Sequence, residues 1–465
     1  MNDHTTPSAA IAAILQWLAS PVIGDPSLQL VELSHHLAAL GNIELKPEQH
    51  TEILELLHLR TFTAIAELQP RLIGTTLPIP EHIRKDARNA KNALQALATA
   101  HMGDSNGTLT TNQRLHAMQA LSKHLFIEAL VAAPPGVGIW RQLHQLHSPA
   151  GIETASDEAI DEVYYRAQML ACTQPAALSA QELALVDAAI ASIATLPDRP
   201  NTASDDYSGL FWIDPTQDLA ATAASRKPPP PNLQVRWFAC DRPAIALTSI
   251  LDAIESGKKP AIFKLPEFAA TPTGIATLRR VARCWDKPAK RRFHRRRQNI
   301  RASLLAGMNE VRELLRSGQG TISEWMITNE SPDGCAAMHV RGPTGRIDIG
   351  DVVALRFEGE QNWQICVARW AQSENPEHLE LGLQRLAPEA SAATLVAPNL
   401  RTAALVFTTP GTPPRPTLMV AAGALTRQPE KAILLTERHN LDVRETSPGD
   451  CLEQTARIEW HALLH

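Results

Sequence analysis

The sequence has no Cys-x-x-Cys pair, and its six cysteines (Cys172, Cys240, Cys284, Cys335, Cys366, Cys451) are scattered. That spacing fits reduced, mostly buried thiols in a cytoplasmic protein, not a disulfide framework or a zinc site. No apolar run approaches the ~18 residues of a membrane-spanning helix. The N-terminus lacks a basic segment followed by an apolar stretch, so no signal peptide is expected. Enzyme signatures are not expected either: no P-loop, no Gly-x-Ser-x-Gly elbow and no His-Glu-x-x-His helix. No catalytic residue, cofactor or metal site is therefore assigned. An excess of charge is missing too. The formal net charge is −5, which argues against a general polyanion binder.

What is present is a globular composition, 44% hydrophobic and 20% charged, over 465 residues. Such a length implies roughly two to four domains. Residues 1–200 read as helices, with apolar residues three and four apart in Ile11, Ile14, Leu15 and Leu18, and again in Leu115, Met118, Leu121 and Leu125. Ser179 and Glu182 have the spacing of a capping box. The region reads either as a scaffold for a protein partner or as an alanine-rich bundle whose aromatics are core. His35, His36, His58, His144 and His147 lack acidic companions at ligand spacing and read as surface or satisfied core histidines. Residues 205–285 read as a small mixed α/β unit. It has two aromatic strands (209–213 and 235–239), a proline-rich connector at 226–231 and two helices.

The densest positive charge is Lys290-Arg291-Arg292-Phe293-His294-Arg295-Arg296-Arg297. A planar guanidinium pairs with a phosphate, or with the O6/N7 edge of guanine, and stacks on aromatic faces. Closely spaced strands follow, with Asn329-Glu330-Ser331-Pro332-Asp333-Gly334 as a turn and Leu379-Glu380-Leu381-Gly382-Leu383 late in the series. This pattern predicts an antiparallel barrel.

Residues ~288–388 resemble the PilZ domain, the bacterial receptor module for cyclic di-GMP. Arg292–Arg296 fits the family's Arg-x-x-x-Arg segment, with Arg291 before it, and the register Arg291–Arg295 fits equally. Asn329, Ser331 and Gly334 fit its Asp/Asn-x-Ser-x-x-Gly motif, and Gly382 the late hydrophobic-x-hydrophobic-Gly motif. The resemblance implies a cyclic di-GMP site made of Arg291, Arg292, Arg295, Arg296, Asn329, Ser331 and Gly334. In the sequence itself, neither the Gly-Gly-Asp-Glu-Phe nor the Glu-Ala-Leu hallmark of enzymes that make or degrade the messenger is expected, and no enzyme activity is expected. The interval from Arg296 to Asn329 is long for the family, so an inserted helix at 309–315 is expected at the barrel entrance.

The expected fold is thus multidomain α + β. It comprises a helical region (1–200), the mixed unit (205–285), a PilZ-like antiparallel β-barrel (286–388) and a C-terminal β-rich unit (390–465). The expected function is a cytoplasmic receptor that couples cyclic di-GMP binding to domain re-orientation, or to a protein partner held by the helical region. Two rivals stay open. One is a nucleic-acid binder using residues 290–297, against which the acidic net charge counts. The other is a helical scaffold with a ligand-free barrel.

Overall fold

The computed structural model describes the chain apart from residues 1–6, 22–23, 104–108, 148–156, 194–196, 201–207, 232, 291, 376–377, 399, 411–413, 426–430, 438–440 and 465. The first part is helical: α1 (Pro7–Ala19), α2 (Pro26–Leu40), α3 (Pro47–Ile73), α4 (Glu81–Met102), α5 (Thr111–Leu130), α6 (Ile139–His147), α7 (Glu158–Cys172) and α8 (Ala180–Ser192). The starts are encoded locally. Asp25 caps α2, and Thr110/Gln113 and Ser179/Glu182 form capping boxes on α5 and α8. Each satisfies backbone N–H groups that the first helical turn leaves without a partner.

A three-stranded sheet follows, β1 (Leu210–Ile213), β2 (Thr222–Ala223) and β3 (Arg236–Ala239), with β1 in the centre, then α9 (Asp241–Glu255) and α10 (Pro272–Asp286). This unit closes onto the helical region. Trp285 is fully buried and donates its indole N–H to the Met169 carbonyl at 3.1 Å. The capping carboxylate of Glu182 also accepts from Thr277 at 2.8 Å and Arg280 at 3.0 Å, both on α10. His144 is satisfied by Tyr164 and the Leu219 carbonyl, and His147 by Asp161 and Arg236.

Two closed six-stranded barrels complete the chain. The first is β4 (Arg296–Ala306), β5 (Ser323–Ser331), β6 (Gly334–Arg341), β7 (Val352–Phe357), β8 (Gln364–Asn375) and β9 (His378–Ala387), in the order β4-β5-β6-β9-β8-β7. The second is β10 (Ala390–Ala397), β11 (Leu400–Thr409), β12 (Arg415–Ala421), β13 (Ala432–Glu437), β14 (Leu441–Gln454) and β15 (Ile458–Leu464), in the order β10-β11-β12-β15-β14-β13. Numbered within each barrel, the two circular orders are identical. The C-terminal unit repeats the topology of the first barrel.

The expected inserted helix is α11 (Met308–Ser317), but it does not lie at the entrance. β4 runs from the arginine end to Ala306, and α11 begins beyond that far end. At ~3.3 Å per residue, the 11-residue strand puts roughly 30 Å between the two. There α11 is a clasp between the barrels. Arg312 donates to the Ala393 carbonyl at 2.9 Å and the Thr394 hydroxyl at 3.0 Å, and pairs with Glu437. Val311 and Leu314 join an apolar cluster with Ile365, Leu405, Phe407 and Trp460, shared by both barrels.

The first barrel is also fused to the helical region. One continuous buried cluster runs from Leu57, Leu94 and Leu121 through Phe211 and Trp285 to Trp325, Ile327 and Leu381. Leu77 and Ile347 exchange backbone hydrogen bonds of 3.1 and 2.8 Å. Ser373, 2% exposed, donates its N–H to the Ala132 carbonyl and accepts from Arg84 at 2.9 Å.

Candidate ligand-binding site

Pairing of β4 with β5 brings the basic run and the Asn329 turn to one end of the barrel. Arg296 stands opposite Glu330, and Arg297 opposite Asn329. Arg292, Phe293, His294, Arg295, Arg296 and Arg297 are all exposed. Arg291 lies outside the described residues. Asn329, Ser331 and Gly334 fall at the end of β5 and the start of β6, so six of the seven expected site residues share this end.

Their local roles differ. Ser331 donates its hydroxyl to the Gly334 carbonyl at 3.1 Å and closes the β5–β6 turn. Gly334 is set by a close approach: a Cβ there would sit inside contact distance of the Leu383 carbonyl on β9. Asn329 is different. Its Oδ1 is buried with no hydrogen-bond partner among the described residues. A buried orphan acceptor costs about 1–3 kcal/mol, and a ligand donor is one way to satisfy it.

Register extends the site beyond the motif. Arg297 pairs with Asn329, Asn329 with Ala336, Ala336 with Gly382, and Gly382 with Trp370. These five residues form one cross-strand row over β4, β5, β6, β9 and β8. The side chains of such a row stand on the same face. The row offers a cationic fork, an amide with a free acceptor, two small residues and an indole. Gly382 is required by Trp370, because a Cβ there would overlap the indole ring.

The neighbouring row is already neutralised. Glu330 pairs with Arg385 at 2.9 Å, and the Arg385 backbone N–H donates to the Asp333 carbonyl at 2.9 Å. Cys335, opposite Glu330, is buried in the barrel, and burial pushes its thiol up to about 11, so it is inert near neutrality. Arg369 holds Gln384 at 2.6 Å and Glu453 of β14 at 2.6 Å, tying this end to the second barrel. Elsewhere, a cavity of about 440 Å³ between Arg301, Arg341 and Glu324 is self-compensated by ion pairs of 2.6 and 2.7 Å. It is a poor anion site for that reason.

Arg297 and Trp370 were not among the expected site residues. Arg297 closes the basic run and carried a signal. Trp370 becomes visible only through strand pairing. Two letter matches correct the expectation of no enzyme strings. Gly103-Asp104-Ser105-Asn106-Gly107 spells Gly-x-Ser-x-Gly, but α4 ends immediately before it, where a nucleophile elbow needs a strand. Residues 104–108 lie outside the described ones. Glu128-Ala129-Leu130 spells Glu-Ala-Leu, but it is the last turn of α5. The Glu128 carboxylate is buried against the Gly136 N–H (2.9 Å) and His124 (3.2 Å).

Residues 12–197 match the family model described as the N-terminal domain of the cyclic-di-GMP receptor FimW. Residues 315–392 match the model described as the middle PilZ domain of the same receptor. The chain belongs to the PilZ family of cyclic di-GMP receptors. The two matches take in more than half of the chain, helical region included. The PilZ match contains Asn329, Ser331, Gly334 and Gly382, but it begins after the arginine segment and β4. No curated protein and no solved structure matches the chain. Among the described residues, no helix is long and apolar enough to cross a membrane.

Proposed function

We propose that this PilZ protein binds cyclic di-GMP on the Arg297–Trp370 row and acts as a cytoplasmic, non-enzymatic receptor. The observation that carries the reading is Asn329. A motif residue holds a buried acceptor with no partner among the described residues, directly beside a line of exposed arginines. The ligand has two phosphates and two guanines. Arg292, Arg295, Arg296 and Arg297, with Arg291, supply guanidinium forks for the phosphates and the O6/N7 edges. Asn329 accepts from a guanine N–H, Ser331 and Gly334 keep the turn in shape, and Gly382 makes room for the Trp370 indole at the end of the row.

The coupling we infer is local ordering. Residues 287–295 link α10 to β4. Arg226 of the proline-rich connector donates to the Ala289 carbonyl at 3.0 Å, so the start of this link is tied to the three-stranded unit. Ligand that holds the arginines also fixes the link and, through it, the connector face on which a protein partner is read out. The continuous core between helices and barrel favours this over a swing of the whole helical region. Amide hydrogen exchange of the full chain with and without cyclic di-GMP tests it. Protection is expected at 287–297, at 329–331 and at the Arg226 and Lys227 amides, since Pro228–Pro231 carry no amide proton. Protection confined to 329–331 would remove the coupling, and no protection at all would remove the site.

A further inference from the structure

Three histidines far apart in sequence meet in the helical region. His58 lies on α3, His101 in the last turn of α4, and His116 near the start of α5. One nitrogen from each lies within 4.8 Å of the other two, and among the described residues no carboxylate or thiolate belongs to the group. His58 Nδ1 is 3.1 Å from His101 Nε2. The ring centroids are 4.4 Å (His58–His116), 5.0 Å (His101–His116) and 5.2 Å (His58–His101) apart. His101 is 2% exposed, and the other two are half-buried.

A hydrogen bond between two neutral rings accounts for His58 and His101 but leaves His116 unexplained. A shared cation accounts for all three. With Zn–N of 2.0–2.1 Å, tetrahedral ligand nitrogens lie about 3.3 Å apart and their ring centroids roughly 5 Å apart. The His58–His101 separation and all three centroid distances are close to those values. Rotation of the half-buried His116 ring closes the rest. Burial and the neighbouring imidazoles hold His58 down at about 4 and His101 at about 3. Both rings are therefore neutral, the ligand form of imidazole, near pH 7. Phe62 stacks on His58 at 4.7 Å and fixes its plane. His58 also lines a cavity of about 330 Å³ with Phe62, Gln119, Lys123 and Asp187, which provides an entry path.

We propose that His58, His101 and His116 form a site for one divalent transition-metal ion of the zinc class, which clamps α3 to the α4–α5 hairpin. An all-imidazole set suits zinc and its neighbours and does not suit magnesium or calcium. The site is independent of the nucleotide site, so either reading can fail alone.

The test uses the full chain after removal of metal with a chelator, titrated with Zn²⁺ and separately with Co²⁺. One Zn²⁺ per chain is expected. With Co²⁺, intense visible ligand-field bands of a four-coordinate nitrogen site are expected. His58→Gln and His116→Gln change half-buried rings and keep the fold by circular dichroism. Each should weaken Zn²⁺ binding by more than about a hundred-fold, since loss of an outer-shell partner alone costs 10–100-fold. His35→Gln should change nothing. The proposal is overturned if the folded wild type binds neither ion, or if both variants bind as the wild type does.

Discussion

Asn329→Ala should weaken the ligand complex without weakening the free protein. The Asn329 Oδ1 is buried and has no hydrogen-bond partner among the described residues, a cost of about 1–3 kcal/mol that truncation removes. Against this stands the loss of a few side-chain contacts beside Ala336, about 1 kcal/mol. The net change in the free protein is therefore near zero or stabilising, whereas most substitutions of partly buried residues destabilise. In the complex, a hydrogen bond from guanine to Oδ1 is lost. At 1–3 kcal/mol, with 1.4 kcal/mol per tenfold, Kd rises by roughly 5- to 150-fold. Urea unfolding of the ligand-free variant and calorimetric titration with cyclic di-GMP read the two arms separately. A variant that is clearly destabilised yet binds normally would refute the reasoning and reduce Asn329 to a turn residue.

Other outcomes follow from the same row and its surroundings. Arg297→Ala should weaken binding by about 1.5–3 kcal/mol, the range for a charge-assisted bond, and should flatten the salt dependence of Kd; an unchanged Kd in titrations at low and high salt would move the phosphate contact to Arg292 and Arg295. Gly382→Ala should cost about 1–3 kcal/mol by overpacking against Trp370, and much less in a Trp370→Ala background; equal costs in both backgrounds, by urea unfolding, would deny the contact. Asp351 is buried, and burial pushes its carboxyl up to about 7 from an ordinary 3.8. The folded state therefore holds a proton that the unfolded state releases between pH 4 and 7, and stability is lost over that window as pH rises. Asp351→Asn should remove the loss, so its advantage at pH 7.5 should exceed that at pH 5 by about 2–3 kcal/mol; an equal advantage at both pH values would show the carboxyl to be ionised throughout.

The barrel was legible because its signals are local. Alternating strands at 350–357 and 363–370, the Asn329–Gly334 turn and the arginine density need no knowledge of pairing. The helices were legible from spacing and capping residues such as Ser179 and Glu182. The cross-strand row was not. Trp370 stands beside Gly382 only because β8 pairs with β9, and Gly382 beside Ala336 only because β9 pairs with β6. The position of α11 was misjudged for a related reason: a long interval in sequence does not say at which end of a hairpin the extra residues emerge. The histidine triad was hidden by its separations, 43 residues from His58 to His101. Its members sit on three helices whose packing brings them together, and no motif spacing records that.

The most direct measurement of the central claim is calorimetric titration of the full chain with cyclic di-GMP, with GMP, GTP and cyclic di-AMP as comparisons, repeated on Arg292→Ala. Saturable binding of cyclic di-GMP alone, weakened at least about tenfold by Arg292→Ala, is the predicted result. Folded protein that takes up no cyclic di-GMP, or that binds all four nucleotides alike and ignores the substitution, would contradict it.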